Sequence, residues 1–244
     1  MPANSDFQQA IQAAQRSALV GPTVLKKALP VVGGGMVLTA GGVMGGLALM
    51  ASNPPLFMPL FIVAMIGQFV LFFVAQNVAL KGNNSTALPL LTTYSLLTGF
   101  TLSGIVSVAI GTAGIGAIGT AALATGITFC FASIFGRRMS DDVGQALSGV
   151  VGLGIIGLLI AIVVQIVGSL FIPGFGGGSL QLMIAGFGTV IFIGAAFVDF
   201  YTMPRTYRDD QYMAAALGMY LTYINLFIFI LQLIIALNGG GRRE

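Results

Sequence analysis

The chain has 244 residues, 57% of them hydrophobic and only 7% charged, with a mean hydropathy of +0.99, whereas soluble domains carry about 25% charged residues. That balance excludes a soluble fold, and seven apolar runs, each of the roughly 20 residues needed to cross a ~30 Å hydrocarbon layer, predict an all-α membrane protein of seven transmembrane helices. There is no histidine, which removes the commonest metal ligand, the usual general base and the usual haem ligand.

The predicted organisation is an N-terminal segment (1–27), a seven-helix bundle (28–238) and a short tail (239–244). Within 5–19, Phe7, Ile11, Ala14 and Ala18 fall at helical spacing, with Ser5 or Asp6 as N-cap and Gly21-Pro22 as a stop, so an amphipathic helix is expected there. Its basic residues follow rather than precede any apolar stretch, which does not fit a signal peptide. The spans are expected at 29–50, 56–80, 88–110, 115–135, 147–172, 180–200 and 213–237.

Arg16, Lys26, Lys27, Lys81, Arg137, Arg138, Arg205 and Arg208 all fall on one side of such a bundle, against Arg242 and Arg243 on the other. Positive residues stay on the cytoplasmic side, so the N-terminus is expected inside and the C-terminus outside. The basic pI follows from this asymmetry and does not imply nucleic acid as a partner.

In the first span Gly41 and Gly45, and Gly42 and Gly46, lie four residues apart. Such spacing lets helix backbones approach in lipid, within the bundle or across a homodimer seam. Glycines 116, 119 and 126 in the fourth span and 149, 152, 154 and 157 in the fifth read the same way. Gln68, Gln76, Asn77, Tyr94, Thr101 and Ser103 are expected to bond across helices. Between spans four and five, Ser140 or Asp141 serves as N-cap, and the two aspartates 141 and 142 complement the helix dipole. Cys130, the single cysteine, lies in the fourth span and forms no internal disulfide.

Asp199 is the one formal charge inside an apolar run. A carboxylate at that depth costs roughly 2.5–3.5 kcal/mol on insertion scales, which makes it a functional candidate. In the last span Gln211, Gly218, Thr222, Asn225, Phe229 and Gln232 share a direction within about 40° at 3.6 residues per turn. A polar stripe in a helix among lipid should face the interior, so this helix is expected at the centre with Asp199 near Thr222 or Tyr223. Two other readings stand beside an ion or proton function: a polar contact that only orients the last helix, or an Asp199 that reaches the interface and pairs with Arg205 or Arg208.

The runs TGFTLSGI (98–105), AFVDF around Asp199 and MYLTYINLFIFILQLI (219–234) resemble the Bax-inhibitor (TMBIM) family of seven-span proteins across all seven spans, with Tyr220, Asn225, Leu226 and Phe227 on the last-helix pattern. The family's common form carries a second acid two residues after that tyrosine, making a dyad with the sixth-helix Asp and a pH-sensitive calcium leak. Here that position is Thr222, and a basic residue expected in the second span is absent, with Lys81 only at its end. A hydroxyl there is similar to the bacterial YccA branch. That likeness implies a protein that binds and modulates the membrane-anchored AAA protease FtsH with its prohibitin-like associates, or another larger membrane complex, in a bacterial plasma membrane or an internal membrane. The handle for such a partner would be the N-terminal segment with Phe7, Ile11 and Arg16.

Enzymes are the weakest class. Serine and metal-dependent membrane proteases need histidine, aspartyl ones need two apposed carboxylates, and a retinal protein needs a lysine deep in a span. No cofactor or metal is implied. Two functions remain: the protease modulator, and a calcium or cation leak gated at Asp199 with Thr222, Asn225, Tyr220, Tyr223 and Gln232 as its polar interior.

Overall fold

In the computed structural model the described residues are 19–172, 175 and 178–239. They form seven long helices, with no strand among them: α1 (Val24–Ser52), α2 (Pro54–Leu80), α3 (Asn84–Ala113), α4 (Gly116–Phe135, continued by a 3-10 turn over Gly136–Arg138), α5 (Asp141–Phe171), α6 (Ser179–Thr206) and α7 (Tyr212–Gly239). All seven are long and apolar enough to cross a membrane, so the chain is a multi-pass integral membrane protein. Its expected amphipathic N-terminal helix, with Phe7, Ile11 and Arg16, lies outside the described residues, as does most of the glycine linker before α6.

Most helices run further than hydropathy alone marks, chiefly at the end that carries the basic residues. Prolines 30 and 89 sit inside α1 and α3 near that end, and Asp141 and Asp142 occupy the first turn of α5 after Ser140 at the N-cap position. The extension reaches six residues both at the start of α5, at Asp141, and in α6, which continues past Phe200, through Pro204, to Thr206. Asp199 therefore lies seven residues, about 10 Å of helix, from that end.

The last helix is the axis of the bundle. It packs against α1, α2, α3, α4 and α6, and Ala214, Ala215 and Ala216 at its start are wholly enclosed together with Leu217, Met219 and Tyr220. Three alanines in succession keep every side of the helix narrow there, so neighbours can close from all directions. By contrast, α2 and α5 present Phe69, Phe73, Leu153 and Val163 outward, as lipid-facing helices do.

Glycine fixes the tightest seam, between the parallel helices α1 and α3. A Cβ at Gly42 would collide with the Leu96 carbonyl, one at Gly99 with the Thr39 carbonyl, and one at Gly46 with the Ser103 side chain. Gly41 and Gly45, one residue earlier in each case, have open space where a Cβ would stand. The two glycine pairs of α1 thus divide: one closes the bundle and the other faces outward. The same holds elsewhere, because glycines 116, 119, 126, 149, 152 and 157 meet nothing within 4 Å, whereas Gly154 is packed on Ile191. Glycine content alone overstates the tight packing, since only the residues phased toward a neighbour contribute to it.

Gly99→Ala is expected to lower stability by about 1–3 kcal/mol, the usual cost of overpacking, while Gly41→Ala should be neutral or gain up to about 1 kcal/mol from helix propensity. Thermal unfolding of both variants in one detergent checks the contrast.

Candidate functional site

Asp199 points into the bundle from α6. Its Oδ2 is buried and has no hydrogen-bond partner among the described residues. The Thr222 hydroxyl of α7 faces the carboxylate, approaching it without full hydrogen-bond geometry. From the basic end, Tyr207 lies within electrostatic reach of the carboxylate, and Gln76 of α2 is beside the Tyr207 phenol, with its own Oε1 buried and unpaired. Burial pushes the Tyr207 phenol above its ordinary value, and Gln76 acts in the opposite direction. Two unpaired acceptor oxygens thus lie near one phenol beneath the α6–α7 loop.

Neither arginine of that region reaches Asp199. Arg205 pairs with Asp141 of α5 at 3.3 Å, donates to the Tyr201 carbonyl at 2.8 Å and stacks over the Tyr201 ring. Arg208 holds Asp210 through two bonds of 3.1 Å, which keeps the Asp210 carboxylate below the usual range. The interface-anchor reading of Asp199 therefore fails: the carboxylate lies too far inside its helix, and both cations have other carboxylates. Asp141, expected only to complement a helix dipole, is also the partner of Arg205 and of the Tyr201 hydroxyl at 3.1 Å.

A second polar cluster lies on the other side of α7. Tyr220 is completely buried and donates to the Thr39 hydroxyl, which itself donates to the Gly35 carbonyl at 2.8 Å, with the Ser95 carbonyl at 3.2 Å. Tyr94 meets the Tyr220 ring edge-on. Ser95 and Thr98 stand around the same phenol, close but with their hydroxyls unpaired. Among the other residues singled out by sequence, Tyr223 packs on Phe129, and Asn225 is half-buried one turn beyond Thr222. Gln232 lies ten residues, about 15 Å along the axis, past Thr222 and is not brought to Asp199. Gln68 accepts from Thr101 at 3.1 Å, a cross-helix bond of the expected kind.

The least legible part is the loop 207–211, which gathers the basic end of the molecule. Pro204 accepts the backbone N–H groups of Val20 and Gly21 at 2.9 and 3.0 Å, and a Cβ on Gly21 would strike the Tyr207 carbonyl. Asp209 Oδ1 accepts the Thr23 N–H at 2.9 Å, at the start of α1. Asn84 donates to the Asp210 carbonyl at 2.9 Å and Gln211 to the Leu80 carbonyl at 2.7 Å, which ties in the α2–α3 turn. These bonds join residues more than 120 positions apart, mostly through backbone atoms. The only hint in the sequence is a cluster of Asp, Arg and Gln between two apolar runs.

Among the described residues no three His, Cys, Asp or Glu side chains are grouped so as to hold a metal ion. The arrangement offers one carboxylate, hydroxyls and amides: hydrogen bonding and charge, without an activated nucleophile or a paired acid.

Residues 21–239 match the profile of a family described as inhibitor of apoptosis-promoting Bax1. An uncharacterized membrane protein of Streptococcus pyogenes serotype M1 is 32% identical over 177 residues, covering 70% of this chain and 72% of that protein. An uncharacterized protein of Borreliella burgdorferi is 29% identical over 211 residues, 81% of this chain and 80% of the relative. Bax inhibitor 1 of Schizosaccharomyces pombe is 38% identical over 55 residues, 22% of this chain and 21% of that protein.

The Tyr220→Phe variant removes the hydroxyl from the inner cluster and leaves its ring. A loss of roughly 0.6–1.7 kcal/mol is expected, the range for hydrogen bonds between membrane helices, measured by reversible unfolding in mixed micelles.

Proposed function

The chain belongs to the Bax inhibitor family, and from that premise we propose that it works without catalysis, by binding and modulating a membrane-anchored AAA protease of the FtsH type, with its prohibitin-like associates, or a comparable membrane complex. The observation that carries this reading is the tie between the chain's N-terminal side and the loop that follows Asp199. Val20 and Gly21 bond to the Pro204 carbonyl, and Thr23 to Asp209. A partner that grips residues 1–18, through Phe7, Ile11 and Arg16, would pull directly on α6 and α7. Opposite Asp199 stands Thr222 rather than an acid, and a lone carboxylate with a hydroxyl is a poor calcium ligand set, because hard cations favour several charged oxygens.

The second reading, a calcium or cation leak gated at Asp199, is favoured by one specific observation. Its buried Oδ2 has no partner among the described residues, which leaves a coordination position open.

Two experiments separate the readings. Removing residues 1–18 should abolish co-purification of a membrane protease under mild detergent while leaving the bundle folded; a complex that survives the deletion contradicts the partner reading. In liposomes loaded with calcium dye the intact protein should give no flux above protein-free vesicles. Flux that disappears in Asp199→Asn would establish the leak instead.

A further inference from the structure

A cleft of about 290 Å³ opens sideways between α1 and α3, in the half of the bundle nearer the basic end. Its walls are apolar, from Pro30, Leu38, Leu88 and Leu91, and its floor is Gly34 and Gly35. No heavy atom lies within 4 Å of where a Cβ on Gly34 would stand, so the missing side chain is itself part of the space. Behind the floor, Ser95 of α3 is fully buried beside the Tyr220 phenol, and a Cβ on Gly35 would lie 3.0 Å from its Oγ. Thr92 lines the cleft one turn nearer the basic end. Its neighbour Thr93 bonds back to the Pro89 carbonyl, whereas Thr92 has no hydrogen-bond partner among the described residues. An unpaired hydroxyl in a hydrocarbon layer is costly, and the one that Thr92 presents to the cleft calls for a ligand that brings an acceptor.

Charge at the mouth identifies that ligand. Lys27 lies on the same helical stripe as the cleft residues Val31, Gly34 and Leu38, at i+4, i+7 and i+11. It is exposed, and its Nζ uses one of three donors, on the Asp209 carbonyl at 3.2 Å. Lys26 beside it is also exposed, and neither lysine has an ion pair among the described residues. Of the nearby carboxylates Asp210 is held by Arg208 and Asp209 accepts the Thr23 N–H, and the Lys27 ammonium also lies 6.0 Å from the centre of the Tyr212 ring. Going inward from Lys27, the order is Pro30 and Leu88, then Thr92 beside Leu91 and Gly34, and last Leu38.

We propose that this cleft binds one anionic phospholipid of the adjoining leaflet. The phosphate sits at Lys27 and Lys26, the glycerol passes Pro30 and Leu88, an ester carbonyl accepts from Thr92, and an acyl chain runs on along Leu91 and Leu38 over Gly34. Nothing in the protease or leak readings requires this site.

The test uses the full chain, delipidated in detergent, titrated with phosphatidylglycerol or phosphatidylcholine and read by native mass spectrometry. One phosphatidylglycerol should bind in preference to phosphatidylcholine. Lys26→Gln with Lys27→Gln should erode that preference by roughly fivefold per lysine. Gly34→Leu, which fills the slot from an open position, should abolish retention of both lipids. Equal binding of the two lipids by the unmodified chain overturns the proposal, as does a Gly34→Leu protein that melts like the parent and still retains phosphatidylglycerol. Should Gly34→Leu not fold, the lysine pair decides alone: an unchanged preference refutes the assignment.

Discussion

The structure depends on enclosing a helix that lipid would not tolerate. α7 carries Thr222, Asn225, Gln232 and the Tyr220 phenol along an otherwise apolar length, and in hydrocarbon each of those groups needs protein around it. Burial of apolar surface gives little drive for helices already in lipid, so association rests on close contact and cross-helix hydrogen bonds. Both are provided around α7. Ala214 to Ala216 allow approach on all sides, Tyr220 bonds to α1 through Thr39, and Thr222 faces Asp199 of α6. The α1–α3 glycine seam brings the Thr39 hydroxyl and the Ser95 carbonyl together beside that phenol.

The polar end of the bundle is organised by the loop between the two helices that carry Asp199 and Thr222. Its backbone and side chains hold the start of α1, the α2–α3 turn and, through Arg205 at the end of α6, the start of α5. A displacement of α6 relative to α7 would therefore be felt at four helix ends on one membrane face, and force applied to the segment before Val20 would pass back to Asp199. The proposed partner reading rests on this mechanical continuity. It also gives the lone carboxylate an organising role that does not depend on ion flux.

Much of the architecture was legible in the sequence because hydropathy and helix length are local properties. Seven spans, a central last helix and the family resemblance could all be read from residue patterns. Ser140 and the two aspartates did mark the start of α5, whereas the end of α6 could not be read, since that helix keeps its bonds beyond the apolar core, where Pro204 and Arg205 carry no hydropathy signal. For the same reason Asp199 looked close enough to the interface to meet Arg205 or Arg208, and the structure excludes both. The glycine pairs of α1 were visible as pairs, but whether 41 and 45 or 42 and 46 faced α3 depended on a helix phase that small residues leave undefined. The contacts of Thr39, Ser95 and the 207–211 loop were hidden because they are long-range and largely to backbone atoms, which any sequence can supply.

The central claim is that Asp199 organises the last helix through Thr222. A double-mutant cycle tests it most directly, with Asp199→Ala, Thr222→Ala and the pair compared by unfolding free energy in mixed micelles. The account predicts a coupling energy of about 0.5–2 kcal/mol between the two positions. Additivity within about 0.3 kcal/mol would mean that the carboxylate and the hydroxyl are neighbours without a shared role, and would contradict it.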